Sequence, residues 1–348
     1  MKMKKYIIFT AIVCVLIGCG RTVATRQHDA DKRSFDAWVY VEKENHPEYL
    51  WKQTTLGSWV LEDVPGTGEL ITGDEDTLYI RVNYTSRNNS GTITNTNSEK
   101  MAQQLGTYKE SNYYGPYVMY LAGTYAGVEE IVTGMRDGGR RKVAVPGWLL
   151  TYTRYDAPDK YLNDSTSNAP VIYDIELVDH FRNVRDWELD SLARYLTQAF
   201  PARFGKDPAK AKADSAGAHG FYYVRTKAPS VFGELKDTSV TINYIGRLLN
   251  GRVFDTNIRD TAIFYGLYSS SGTYEPATVS LAKSWSEVKL NSNKVIEGFA
   301  RTVCKMGVGE KGSGIFWSPL GYDTQGSGSS IPPYAPLRFD IEIIGIKK

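Results

Sequence analysis

Few residues in this chain have the types and spacing needed for bond-making chemistry. There are 4 histidines and 3 cysteines in 348 residues. His28, His46, His180 and His219 include no pair at ligand spacing, and Cys14, Cys19 and Cys304 form no Cys or Cys/His zinc pattern. No EF-hand loop, phosphate-cradling glycine motif or nucleophile elbow is present. The expectation is a protein without metal or cofactor. Lys plus Arg is 41 against 39 Asp plus Glu, a net charge of +2, which argues against a nucleic-acid partner held by charge. The basic cluster Arg136, Arg140, Arg141 and Lys142 reads as a solvated strand and turn face rather than an anion site. What the chain does have is 24 Tyr and 32 Gly, types that favour sheet and turns.

The elements that would position any site begin after an address. Lys2, Lys4 and Lys5 precede an apolar stretch from Ile7 to Ile17, too short to span a bilayer comfortably. Residues 1–18 therefore read as an export signal. Leu16-Ile17-Gly18-Cys19 resembles the bacterial lipobox. That resemblance implies cleavage before Cys19 and lipidation of its thiol. It also implies a place in the cell envelope, anchored to a bacterial membrane through lipid and facing the periplasm. Cys304 would then be the one thiol left, and the mature chain would have no intramolecular disulfide. Residues 19–56 form a lipidated tether and lead-in, with 20–34 polar and flexible.

An internal repeat organises the rest. Tyr125, Val128, Val132, Met135 and Gly138 recur as Ile296, Phe299, Val303, Met306 and Gly309 at one constant offset. The apolar members share one face of a short helix, and each glycine is expected to end it. The run Ala169 to Leu177 matches Ala335 to Ile343 with strand-like alternation, and Val82-Asn83-Tyr84 matches Ile242-Asn243-Tyr244. Two copies of one domain follow, over 57–181 and 220–348. Between them, 182–219 forms a connector. Leu189, Leu192, Leu196 and Phe200 predict an amphipathic helix over 184–200, Pro201 stops it, and 201–219 reads as a mobile loop.

The second copy resembles the FKBP-type peptidyl-prolyl cis/trans isomerases. The motifs are Val240 to Gly246, Gly251-Arg252-Val253-Phe254-Asp255, Val295-Ile296-Glu297-Gly298-Phe299, Met306 to Lys311, and Ile331-Pro332-Pro333 leading to Leu337-Arg338-Phe339-Asp340. The resemblance implies an α+β fold of two FKBP-like domains joined by a helical connector. In each, an antiparallel sheet of about five strands would curl around a short helix. It places Phe299 on the floor of a cleft and Tyr244, Phe254, Val295, Ile296 and Phe339 on its walls. Ile331 falls on an overhanging loop, Asp255 at the edge, and Tyr322 where a hydroxyl donates to a substrate carbonyl. Tyr322, Asp255 and Phe299 are the residues expected to carry catalysis. This sequence departs from the family in the long insert 256–294, expected to border the cleft. One further wall residue is left open there, with Trp285 and Val288 as candidates.

The implied chemistry needs no covalent step. The prolyl peptide bond has a barrier of roughly 18–20 kcal/mol because rotation breaks amide resonance. A site need only bind the twisted amide better than the planar one. The first copy is expected to be degenerate: Thr94-Asn95 stands where the second has Phe254-Asp255, Val128 replaces the aromatic floor, and no Ile-Pro-Pro loop precedes Ala169. Tyr84, Tyr152 and Tyr173 are its retained matches. The leading expectation is a membrane-anchored isomerase acting on proline-containing clients in the envelope. The alternative is a non-catalytic lipoprotein that uses such domains to hold clients or a partner.

Overall fold

The computed structural model describes residues 29–73, 77–164, 168–217, 219–230, 235 and 238–347. Cys19 and the expected signal over 1–18 lie outside the described residues. The chain divides into two units, Met1–Met101 with Met119–Arg182, and Ala102–Val118 with Asn183–Lys348. No helix among the described residues is long and apolar enough to cross a membrane.

Along the first repeat run helix α1 (29–45) and strands β1 (Lys52–Gln53), β2 (Trp59–Val64), β3 (Tyr79–Asn88) and β4 (Ile93–Thr96). Then come helix α2 (Glu99–Gln104), β5 (Tyr117–Tyr120), α3 (Ala126–Val132), β6 (Arg140–Val145), α4 (Pro158–Asp164) and β7 (Val171–Phe181). The sheet order is β1-β2-β6-β7-β3-β4, with β5 pairing β3. Inward residues such as Val82, Val143, Val145, Ile175 and Leu177 meet Val128, Ile131 and Val132 of α3 in one buried cluster. The polar tether expected over 20–34 gives way to helix from residue 29. Phe35 and Val39, one turn apart, bury against this core, and Phe35 sets its edge on Trp148 at 5.5 Å.

The second repeat follows α5 (Val184–Ala199), α6 (Pro201–Phe204) and α7 (Pro208–Gly217). Its strands are β8 (Phe221–Lys227), β9 (Ser239–Leu248), β10 (Val253–Thr256), β11 (Ala277–Ser280), β12 (Lys289–Leu290), β13 (Asn293–Lys294), β14 (Lys311–Phe316) and β15 (Leu337–Ile346). Helix α8 (Arg259–Phe264) follows β10, and helix α9 (Glu297–Cys304) follows β13. The order is β13-β12-β11-β9-β15-β14-β8, with β10 on β9. This is an α+β architecture in two units, each an antiparallel sheet with a short helix on its apolar face. The sheets hold seven and eight strands rather than about five, because short pieces such as β1, β12 and β13 extend them.

Two expectations need correction. The helices end before the glycines: α3 stops at Val132 and α9 at Cys304. Gly138 and Gly309 instead take left-handed backbone (φ 79° and 78°) at the entry to β6 and β14. Their N–H groups donate to Leu177 O and Ile343 O, both at 2.8 Å, so the glycines splice the helix turn into the sheet. The expected loop over 201–219 is largely helical. Pro201 and Pro208 open α6 and α7 at positions that need no donor, and Ala211 is buried. The insert 256–294 contains α8, β11, β12 and β13.

Candidate functional site

The site is built on β9. Its alternation turns Ile242 and Tyr244 inward. Tyr244 is braced from β10: its backbone N–H donates to Asn257 Oδ1 at 2.8 Å, and its carbonyl accepts from Thr256 Oγ1 at 2.8 Å. Asn257 is itself buried and donates to Ile242 O and Glu275 O, both at 2.9 Å. Sequence reasoning missed this Thr-Asn brace. The available signal was its recurrence as Thr96-Asn97, where Tyr84 N–H donates to Asn97 Oδ1 at 2.7 Å. Gly246 lies beside Phe254. A Cβ there would sit 2.6 Å from the Phe254 ring and 3.1 Å from Phe339, so only glycine lets the ring close down on the strand.

Around Tyr244 the residues expected from the sequence converge. Phe339 of β15 is the hub. Phe299 packs on it edge-to-face at 5.2 Å and Phe254 at 5.6 Å, and Tyr244 lies 6.4 Å away, tilted. Tyr244 meets Phe299 edge-on at 5.9 Å. These are the favourable edge-to-face geometries of aromatic quadrupoles. Phe299, in the first turn of α9, is 2% exposed, the depth expected of a floor. Val295, Ile296 and Tyr322 are half-buried against the same cluster, and Ile331, 3% exposed, closes it from a loop tied by Ser327 N–H to Ile331 O at 2.8 Å. Of the open candidates, Val288 is buried in this cluster. Trp285 is 48% exposed and lies under the Arg301 guanidinium instead.

Polar groups are few and differ in role. The Tyr244 hydroxyl donates to Asp255 Oδ2 at 3.0 Å, which aims the carboxylate. Asp255 sits at the rim with an exposed face, yet loss of water around it pushes its carboxyl pKa up. The Tyr244 hydroxyl and the Thr256 N–H partly offset this. Burial and the nearby Asp255 charge hold the Tyr244 hydroxyl well above its usual range. Tyr322 is likewise raised, by burial first and Asp255 second. Its hydroxyl has no hydrogen-bond partner among the described residues, so it can donate to a ligand carbonyl. The described residues contain no group of three or more His, Cys, Asp or Glu that could hold a metal ion.

The first repeat shows the same frame with other contents. Asn95 pairs with Ser86 as Asp255 pairs with Gly246. Asn95 Nδ2 donates to the Tyr84 hydroxyl at 3.0 Å, the counterpart contact with donor and acceptor reversed. Ser86 replaces the close-approach glycine and shares a 2.9 Å hydrogen bond with Thr94 in place of the Phe254 ring. Val128 takes the floor. Tyr173, the match of Phe339, is raised to about 12 by burial. Tyr152 is turned outward and packs on Tyr125 at 4.6 Å. Arg140, Arg141 and Lys142 pair with Asp174, Asp63 and Glu62 on neighbouring strands, as a solvated strand face does.

Comparison with known proteins matches residues 234–344 to the family model described as FKBP-type peptidyl-prolyl cis-trans isomerase. "FK506-binding protein 2" of Dictyostelium discoideum is 35% identical over 105 residues, 30% of this chain and 62% of that protein. "Peptidyl-prolyl cis-trans isomerase FKBP11" of Bos taurus is 31% identical over 118 residues, 34% of this chain and 45% of that protein. "FK506-binding protein 1" of Dictyostelium discoideum is 31% identical over 110 residues, 32% of this chain and 82% of that protein. The chain thus spans less than two thirds of the first two relatives and most of the third. The matched segment is the one that folds into the aromatic cluster, and on that likeness the chain belongs to the family of FKBP-type peptidyl-prolyl cis-trans isomerases.

Proposed function

We propose that this chain is an exported, lipid-anchored peptidyl-prolyl cis/trans isomerase that assists the folding of bacterial envelope proteins, with its activity in the second repeat. The observation that carries it is the Tyr322 hydroxyl, unpartnered among the described residues, beside a closed aromatic wall. Phe254, Phe299 and Phe339 offer an apolar seat for a proline ring, and Ile331 overhangs it. A twisted prolyl amide has less charge separation than a planar one, so a water-poor wall favours it. Tyr322 would hold the carbonyl of a bound segment and Asp255 would sit at the rim. The clients are proline-containing chains, and no nucleophile, metal or cofactor takes part.

Export and anchoring rest on the Lys2–Cys19 segment. Two measurements test the reading. Proline-peptide isomerisation by the full chain should exceed the spontaneous rate and fall in Tyr322→Phe. Labelled fatty acid should enter the wild type and not Cys19→Ser. No acceleration by folded protein sinks the enzymatic claim, and no label in the wild type sinks the anchor.

One contact favours a non-catalytic, client-binding reading. Within the second unit, Tyr113 packs against the cluster, its N–H donates to Ser329 O at 2.7 Å, and Ser329 Oγ donates to Asn112 Oδ1 at 2.7 Å. A segment docked on the loop that carries Ile331 would slow exchange of clients. Tight proline-peptide binding without turnover is the result that supports it.

A further inference from the structure

Strand β8 ends the second sheet: β14 pairs with one edge, and no described strand pairs with the other. A groove of about 1050 Å³ runs along β8. On one face of the strand, Phe204 of α6 packs edge-on against Tyr222 at 5.7 Å. On the other, the Arg301 guanidinium of α9 lies 6.0 Å from the Phe221 ring centroid and 4.7 Å from that of Trp285.

The lining is basic. Arg203, Arg225, Arg301 and Lys305 line the groove and no carboxylate does. Two acids reach these cations from outside it: Glu310 accepts from Arg225 at 2.6 Å, and Glu297 pairs with Arg301 on its own helix. Arg301 Nε is buried without a hydrogen-bond partner, and Lys305 has no ion pair among the described residues. The guanidinium of Arg203 donates to the Tyr223 carbonyl, so that carbonyl faces the groove and is capped by a side chain rather than by a strand.

The first repeat shows what this edge accepts. Its counterpart of β8 is β2, next to β6 as β8 is next to β14. There the chain itself adds a strand: β1 pairs on the outer edge of β2, with Lys52 opposite Val60 and Gln53 opposite Trp59. In the second repeat the same edge is bordered by cations and aromatic rings instead.

We infer that the free edge of β8 takes up an extended acidic peptide segment as an added strand. Its backbone pairs along Phe221–Arg225 and its carboxylates meet Arg203, Arg225, Arg301 and Lys305. Main-chain pairing supplies affinity and the basic walls supply selection, as in other strand-addition sites. An anionic headgroup would satisfy the charges but leave the strand edge unused. None of the cleft residues lines this groove, so the site stands independently of the isomerase reading.

The test uses the full-length chain with Cys19→Ser, so that no acyl group contributes. The probe is a short labelled peptide alternating Glu and Val, without proline, read by fluorescence anisotropy. It should bind more tightly than its Gln counterpart, weaken with salt, and lose binding when alternate backbone nitrogens are methylated. Lys305→Glu should weaken it roughly fivefold or more while leaving fold and proline-peptide turnover unchanged. Equal binding of the Gln peptide or of the methylated peptide overturns the inference, as does an unchanged affinity in Lys305→Glu. Binding to mixed phosphatidylcholine and phosphatidylserine vesicles with none to the peptide also overturns it and assigns the groove to headgroups.

Discussion

At the Tyr244–Asp255 contact a single hydroxyl sets the state of a carboxylate. Burial raises the Asp255 pKa, and the hydroxyl at 3.0 Å opposes that rise. Tyr244→Phe should therefore push the Asp255 pKa further up, which carboxyl carbon NMR across a pH titration would detect; a fall would contradict the arrangement. Tyr322→Phe deletes one donor and leaves the walls intact. A net hydrogen bond of roughly 0.5–1.5 kcal/mol corresponds to a few-fold to about tenfold loss of turnover. Gly246→Ala would drive a methyl into the Phe254 ring at 2.6 Å. Overpacking of that kind costs about 1–3 kcal/mol, so denaturant melts should show lower stability with turnover falling alongside.

Helix α5 is tied to the second sheet by a buried acid. Glu188, 1% exposed, accepts from Ser318 N–H and Ser318 Oγ, each at 2.6 Å. Burial nevertheless raises its pKa from 4.5 to about 7, with the Asp323 charge adding to the shift. Between those values the folded chain holds a proton that the unfolded chain has released. Stability is therefore fully present below the lower value and declines as pH rises to the upper one. The loss is on the order of 3 kcal/mol. Glu188→Gln keeps an acceptor for Ser318 and has nothing to ionise. Urea melts on either side of the window should show a steeper decline in the wild type than in the variant, because Asp255 titrates in both. A wild type that gains stability with rising pH across the window would refute the assignment.

The whole molecule is one frame used twice, with separate cores and different site contents. The Ser86–Thr94 hydrogen bond and the Val128 floor leave the first repeat without the Phe254 wall and the Phe299 floor. Turnover by the full chain should therefore follow the second repeat alone. Tyr84→Phe should leave it unchanged, while Phe299→Ala should abolish it at a stability cost of about 3–5 kcal/mol, with calorimetry checking that the variant still folds. Loss of turnover in a folded Tyr84→Phe variant would show that the first repeat is active.

The sequence by itself determined the repeat, the short helices at Val128 and Phe299, the alternating strands through Tyr173 and Phe339, and the aromatic residues that cluster around Phe339. Those signals are periodicities and near-neighbour motifs, which depend on local backbone geometry. It misread 201–219 because an Ala- and Lys-rich stretch opened by prolines at helix starts looks like a loop until α5 gives α7 a surface to pack on. Only the tertiary structure decided which polar atoms meet. Asn257 braces Tyr244 across a strand turn, Gly246 yields to Phe254, Glu188 reaches Ser318, and β8 is left as an edge. Each of these depends on strand order and register between distant segments, and no local spacing encodes them.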